Sequence, residues 1–195
     1  MLAVQGDFDA HARALQNAGA APVLIKNACQ LTEVDALILP GGESTTALKF
    51  LLEERLAEAI RELAAGGRPI FGTCAGAILL AREVTNTGGS TFVQPGEGLQ
   101  PSLALMDIAI RRNGYGSQLN SFIARHDFGA TWPGGPLEMV FIRAPVIERM
   151  GSGVQVVAEY GGFPVLVRQE NLLAATFHPE LTADLRIHRY FLGMA

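Results

Sequence analysis

Pro69-Ile70-Phe71-Gly72-Thr73-Cys74-Ala75-Gly76-Ala77-Ile78-Leu79-Leu80-Ala81 is an apolar run, a glycine-flanked turn and a second apolar run. The order reads as strand, sharp turn and helix, with a cysteine at the turn. A residue held at such an elbow has a strained backbone, so the positions two before and two after it must be small. Gly72 and Gly76 stand there. The turn sets the Cys74 sulfur at the start of a helix, where unpaired N–H groups and the helix dipole favour an anion. Roughly a hundred residues on, His178-Pro179-Glu180 offers the other half of a nucleophilic site. Pro179 biases His178 toward extended backbone, and residues i and i+2 of an extended segment point to the same side. Glu180 is therefore expected to face as His178 does and to hold its imidazole in one tautomer. Cysteine, histidine and carboxylate together suit attack on a carbonyl carbon. Each motif alone has a plain structural reading, as a small buried thiol or the end of an element. Together, with strand and helix patterns around the elbow, they favour an enzyme.

The flanking pattern sets the fold class. Leu2-Ala3-Val4-Gln5 reads as a first strand, followed by a helix from Phe8 to Ala18 that Gly19 closes. Val23-Leu24-Ile25 and Ala36-Leu37-Ile38-Leu39 suit strands buried on both faces. Leu48, Leu52, Leu56, Ile60 and Leu63 fall at helical spacing, which predicts one helix from Ser44 to Ala65 with Ser44 as its N-cap. Strand alternating with helix argues for an α/β fold, a mostly parallel central sheet with helices on both faces, in one domain over 1–195. The second half is richer in strands, at Leu105–Ile110, Ser121–Ala124, Met139–Ile142 and Val154–Tyr160. The loops Pro95-Gly96-Glu97-Gly98 and Trp132-Pro133-Gly134-Gly135-Pro136 punctuate it. Phe163–Val167 and Leu172–Phe177 read as a hairpin that delivers His178, and a last helix runs from Thr182 to Leu192.

Composition narrows the function. The 195 residues are 49% apolar and only 17% charged, a balance suited to a well-buried core. The net charge of −4 offers no basic footprint for nucleic acid. A disulfide between the two cysteines, Cys29 and Cys74, would consume the nucleophile, so a reducing, cytoplasmic setting is expected. Cys29 reads as an incidental thiol. The N-terminus lacks the basic and apolar regions of a signal peptide, and no apolar run has the ~18 residues of a membrane span. His11, His126 and His188 show no metal-ligand pattern and read as surface or packing residues.

Leu39-Pro40-Gly41-Gly42-Glu43-Ser44-Thr45-Thr46 is the third motif, between a buried strand and a helix. Adjacent glycines let backbone N–H groups approach a ligand, and beside a cysteine elbow they suit an oxyanion. The lysine and spacing of a phosphate loop are absent.

These three motifs, in this order, resemble the class I, triad-type glutamine amidotransferases. More specifically the chain is similar to the PdxT/SNO family, the glutaminase subunits of pyridoxal 5'-phosphate synthase. Gln5-Gly6-Asp7, Arg112-Asn113, Ser121-Phe122 and Phe141-Ile142-Arg143-Ala144-Pro145 carry the resemblance along nearly the whole chain. It implies a three-layer, flavodoxin-like amidotransferase fold, with Cys74 as nucleophile, His178 as base and Glu180 as its orienter. It also implies a glutamine pocket lined by Gly42, Glu43, Ser44, Arg112, Ile142 and Arg143, and an oxyanion hole at Gly42 and Ala75. The implied reaction is hydrolysis of L-glutamine to L-glutamate and ammonia, needing no metal or cofactor of this chain's own. Because ammonium is not a nucleophile, the ammonia is expected to pass directly to a partner, the synthase subunit. Two departures stand out: Ser117 where the family commonly carries arginine, and Ile123 where an acidic residue is frequent. The alternatives are the glutaminase subunit of another ammonia-using synthase, a cysteine-elbow hydrolase, and a degenerate amidotransferase kept as a regulatory binding subunit.

Overall fold

β1 (Leu37–Leu39) and β2 (Ile70–Thr73) pair in parallel, Leu39 opposite Gly72. Every residue of both strands is buried, as apolar runs without polar alternation require. The computed structural model describes residues 1–4, 6–85, 102–114 and 121–195. Gln5, Ser117 and the Pro95–Gly98 loop lie outside the described residues.

On the other side of β2 comes β10 (Leu172–Ala175), also parallel, with Ala175 opposite Thr73. Beyond it the sheet turns antiparallel, with β9 (Phe163–Gln169) and then β8 (Gln155–Tyr160). The expected hairpin is thus β9–β10. A parallel bridge from Leu2 to Ile25 and the bond from Leu2 N–H to the Ile38 carbonyl (2.9 Å) extend the sheet past β1. Val23 and Leu24, expected in a buried strand, are exposed instead, and only Ile25 reaches the sheet.

Alternation along the central strands sorts the core into two clusters. Leu37, Leu39, Ile70, Leu172 and Ala174 face one way and Ile38, Phe71, Leu173 and Ala175 the other. The first face is covered by α2 (Ser44–Glu53), α3 (Leu56–Ala65) and α4 (Ala75–Leu80). The second is covered by α1 (Phe8–Asn17) and α5 (Arg186–Leu192), through Leu15, Ile187 and Phe191. Helices on both faces of the sheet are the three layers the sequence predicts. A second sheet joins β3 (Ala81–Thr85), β4 (Met106–Arg111) and β7 (Val146–Met150). The pair β5 (Ser121–His126) and β6 (Leu137–Ile142) forms a third.

The expected single helix from Ser44 to Ala65 is two. Arg55 adopts φ 54° and separates α2 from α3. Glu53 and Glu54 close α2 against the negative end of its dipole, an arrangement that favours termination. Within α2 the buried stripe is Ser44, Ala47, Leu48 and Leu51, and Leu52, expected to face the core, is 48% exposed. The cap of α2 also differs, being Glu43 and not Ser44. Its carboxylate accepts the N–H of Thr45 (3.3 Å) and of Thr46 (2.8 Å). The last helix begins at Arg186, whose N–H is bonded by the Asp184 side chain at 3.0 Å, and not at Thr182.

Candidate active site

β1, β2 and β10 run parallel, so their carboxyl ends meet at one edge, where ligands of open α/β sheets bind. Gly41-Gly42 follows β1, Cys74 follows β2 and His178 follows β10 by three residues. Cys74 caps α4 with φ 48° and ψ −103°, the left-handed strain of an elbow. The need for small neighbours is visible as distance. A Cβ on Gly72 would lie 2.5 Å from the Gly76 carbonyl, and one on Gly76 only 1.9 Å from the Leu39 carbonyl oxygen. The Cys74 N–H is anchored to the Ala175 carbonyl at 2.8 Å, which ties the elbow to the strand that delivers the histidine.

His178 and Glu180 do meet, though not along an extended segment. Pro179–Leu181 is a turn of 3-10 helix, and His178 has φ −108° and ψ 87°. The tight turn, not strand alternation, brings the Glu180 Oε1 to 2.7 Å from His178 Nδ1. Both residues are buried, and the His178 N–H bonds the Val140 carbonyl of β6 at 2.8 Å. Burial alone would lower the His178 pKa. Hydrogen bonds and charge attraction from Cys74 and Glu180 outweigh it and raise the pKa from 6.5 to about 10. At neutral pH the ring is an imidazolium bridging the sulfur and the carboxylate.

The cleft in front of Cys74 is lined by Gly42, Glu43, Ser44, Ala75, Ile78, Arg112, Asn113, Ile142 and Arg143. Arg112 reaches Glu43 at 3.3 Å across the cleft. Burial would raise the Glu43 pKa, but the Thr46 and Thr45 N–H groups prevail and hold it below the usual carboxylate value. Cys74 (φ 48°), Asn113 (φ 49°) and Arg143 (φ 44°) are three of six non-glycine residues in the left-handed region among the described residues. Such strain persists only where the surroundings enforce it, and it clusters at binding sites. The flat face of Gly41 lies on His178: a Cβ there would stand 2.4 Å from the ring carbon Cε1.

A strained cysteine sulfur, an imidazolium, a buried carboxylate and a cationic rim can together open an amide through a thioester. The sequence model of the SNO glutamine amidotransferase family matches residues 1–195. The chain belongs to that family. Pyridoxal 5'-phosphate synthase subunit PdxT of Solibacter usitatus is 48% identical, over 99% of this chain and 96% of the relative. The PdxT subunit of Koribacter versatilis is 49% identical, over 100% and 93%. A crystal structure of a glutamine amidotransferase superposes with a TM-score of 0.87 at 42% identity, covering 99% and 96%. A glutamine amidotransferase from Thermotoga maritima shares the fold, with a TM-score of 0.58 at 11% identity, covering 98% and 80%.

In this SNO-family amidotransferase every described residue that the sequence singled out reaches the site. Cys74, Ala75, Gly42, Glu43, Ser44, Arg112, Ile142 and Arg143 surround the cleft, and His178 with Glu180 stand beside the thiol. Ile78 and Asn113 also line the cleft: both lie in quoted stretches of sequence, but neither was given a place in the pocket. Asp7 was missed too. Its carboxylate comes within 4.8 Å of His178 and Glu180, and these three are the group among the described residues placed to hold a metal ion. Two of the three are already bonded to each other. His11 and His188, read as surface or packing residues, are fully buried and hydrogen-bonded behind the triad. Cys29 lies exposed, away from the cleft.

Proposed function

We propose that this chain is the glutaminase subunit of a pyridoxal 5'-phosphate synthase, acting as one amidotransferase domain over residues 1–195. The observation that carries the reading is the hydrogen-bonded line Cys74–His178–Glu180, opening on a cleft rimmed by Arg112 and Arg143. The names of its relatives point to the synthase.

Arg112 and Arg143 receive the α-carboxylate of L-glutamine, a group whose fixed charge calls for guanidinium partners. The Cys74 thiolate attacks the side-chain amide carbon, and the C=O π electrons move to oxygen. The N–H groups of Gly42 and Ala75 hold that oxyanion. The His178 imidazolium donates its proton to the departing nitrogen, the C–N bond breaks, and ammonia leaves a glutamyl thioester on Cys74. The now neutral His178 takes a proton from water, hydroxide adds to the thioester, and L-glutamate departs as the thiolate reforms. Glu180 keeps Nδ1 protonated throughout, so Nε2 is the nitrogen that cycles. Ammonia released into water would be trapped as ammonium, so it passes directly to the synthase subunit.

The test is co-purification with the synthase subunit followed by reaction with amide-15N glutamine, a pentose phosphate and a triose phosphate. Label in pyridoxal 5'-phosphate is the expected result. Glutamate formed with no label transferred would point to a different synthase. A stable complex without glutamate formation would make the chain a binding subunit.

A further inference from the structure

Behind the triad runs a buried polar chain that the reaction above does not use. His11 on α1 and His188 on α5 are both 0% exposed. His188 Nε2 lies 3.0 Å from His11 Nδ1. His11 Nε2 lies 3.0 Å from Thr73 Oγ1 and 3.3 Å from Glu180 Oε2. Thr73 Oγ1 in turn accepts the Gly41 N–H at 3.1 Å. Three other parts of the chain thus meet at the His11 ring, and a fourth is tied in through Thr73.

The protons can be assigned. Burial holds both imidazoles neutral, His11 well below its ordinary pKa and His188 at about 4. A neutral imidazole has one donor and one acceptor nitrogen. Glu180 Oε2 is buried, offers only lone pairs and accepts no hydrogen bond among the described residues, and His11 Nε2 stands 3.3 Å in front of it. The nitrogen facing it, His11 Nε2, must therefore carry the proton. His11 Nδ1 is then an acceptor, so His188 Nε2 is the donor to it. That leaves His188 Nδ1 as a bare lone pair, and it is the ring atom without a partner. An unpaired acceptor is tolerated more readily than an unpaired N–H. The His188 N–H thus donates to His11, and the His11 N–H to Thr73 Oγ1 beside Glu180.

We propose that His11, fixed by His188, is a positioning residue for the glutaminase reaction. Its Nε2–H, bonded to Thr73 Oγ1, sets the positive edge of the ring 3.3 Å from the second oxygen of Glu180 while the first holds His178. Through Thr73 the same ring anchors the Gly41 peptide, which is already wedged against His178. The triad carboxylate and the turn that carries the oxyanion donor thereby share one buried anchor. His11 touches no substrate. The proposal rests on the cysteine-triad glutaminase reading above.

Two measurements test it. The 15N imidazole spectrum of the full-length chain at pH 7 should show His11 and His188 neutral, each protonated on Nε2. A charged His11, or one protonated on Nδ1, overturns the assignment. Kinetics are then read on the complex with the synthase subunit. His11→Phe keeps the ring volume and removes the donor, and should lower kcat about 10- to 100-fold while KM for glutamine stays within about twofold. His11→Gln, which can present an N–H near the Nε2 position, should recover most of that loss. In a Glu180→Gln background His11→Phe should cost less than about threefold more, because the two act in series. A fully multiplicative loss, or equal losses in the Phe and Gln variants, overturns the proposal. If His11→Phe does not fold, His188→Phe gives the same comparison one bond further out. A wild-type complex that forms no glutamate overturns the glutaminase reading instead, and the tautomer spectrum then decides the anchor by itself.

Discussion

Glu180 has two sides built by opposite means. Toward the cleft stand an imidazolium, a thiol and a rim of partly or fully exposed charge in Glu43, Arg112 and Arg143. Behind it stand two fully buried, neutral imidazoles and a threonine hydroxyl. Charge can be kept at the front because the groups there answer one another or meet water. The back is buried from solvent, so its imidazoles stay neutral and spend their hydrogen bonds on orientation. The front performs the bond changes, and the back determines how rigidly the front is held.

The sharpest way to break this division is at the sulfur. Cys74→Ala should lower glutaminase turnover at least about 10^4-fold with folding and partner binding retained, since it removes one atom from a turn built for small residues. Acid quench of the wild-type reaction should trap a glutamyl adduct on Cys74 by mass spectrometry. An adduct on Cys29, or turnover kept by the variant, would move the reacting front away from this cleft.

Next in size is the relation within the triad. His178→Asn removes the proton carrier, whereas Glu180→Gln leaves it in place, so the second should be about 10- to 100-fold milder. The double variant should be little worse than His178→Asn alone, and steady-state rates of the three variants measure this. Multiplicative losses would mean that Glu180 does not work through His178.

A third test concerns the close approach that joins the elbow to β1. Gly76→Ala sets a methyl against the Leu39 carbonyl and should cost about 2–4 kcal/mol, read as a lower urea midpoint at unchanged slope. A midpoint equal to wild type would show that the strand and helix can part without penalty.

The smallest effect separates front from back by sign. His188 takes a proton near pH 6.5 when unfolded but only near 4 when folded. Between those values the unfolded chain binds more protons. The His188 contribution is therefore complete above about pH 6.5 and falls by on the order of 3 kcal/mol toward pH 4. His178 runs the other way. Its folded pKa of about 10 exceeds its unfolded 6.5, so its contribution is complete below pH 6.5 and is lost as pH rises through 10. Thermal melts across pH should show the acid limb flattened in His188→Phe and the alkaline limb flattened in His178→Asn. If His188→Phe left the acid limb unchanged, the neutral back layer would not be what acid attacks.

Much of this was legible because its causes are local. Gly72, Cys74 and Gly76 report an elbow since the steric demand acts over two residues. Buried apolar runs such as Leu37–Leu39 report parallel strands since both their faces are covered. Where the reading slipped, a local rule met a competing one. The periodicity through Leu52 ignored two glutamates at a helix end, and the i, i+2 rule for His178 and Glu180 reached the right contact through the wrong backbone.

The sequence by itself therefore determined the layered α/β fold and the identity of the thiol, imidazole and carboxylate, each written within a few neighbouring residues. Only the tertiary structure decided which residues stand behind them. His11, Thr73, Glu180 and His188 lie on a helix, a strand, a turn and another helix, and nothing in their spacing relates them. They become a unit only because α1 and α5 cover the same face of the sheet. There, exclusion of water makes every remaining hydrogen bond obligatory and leaves each ring one consistent way to hold its proton.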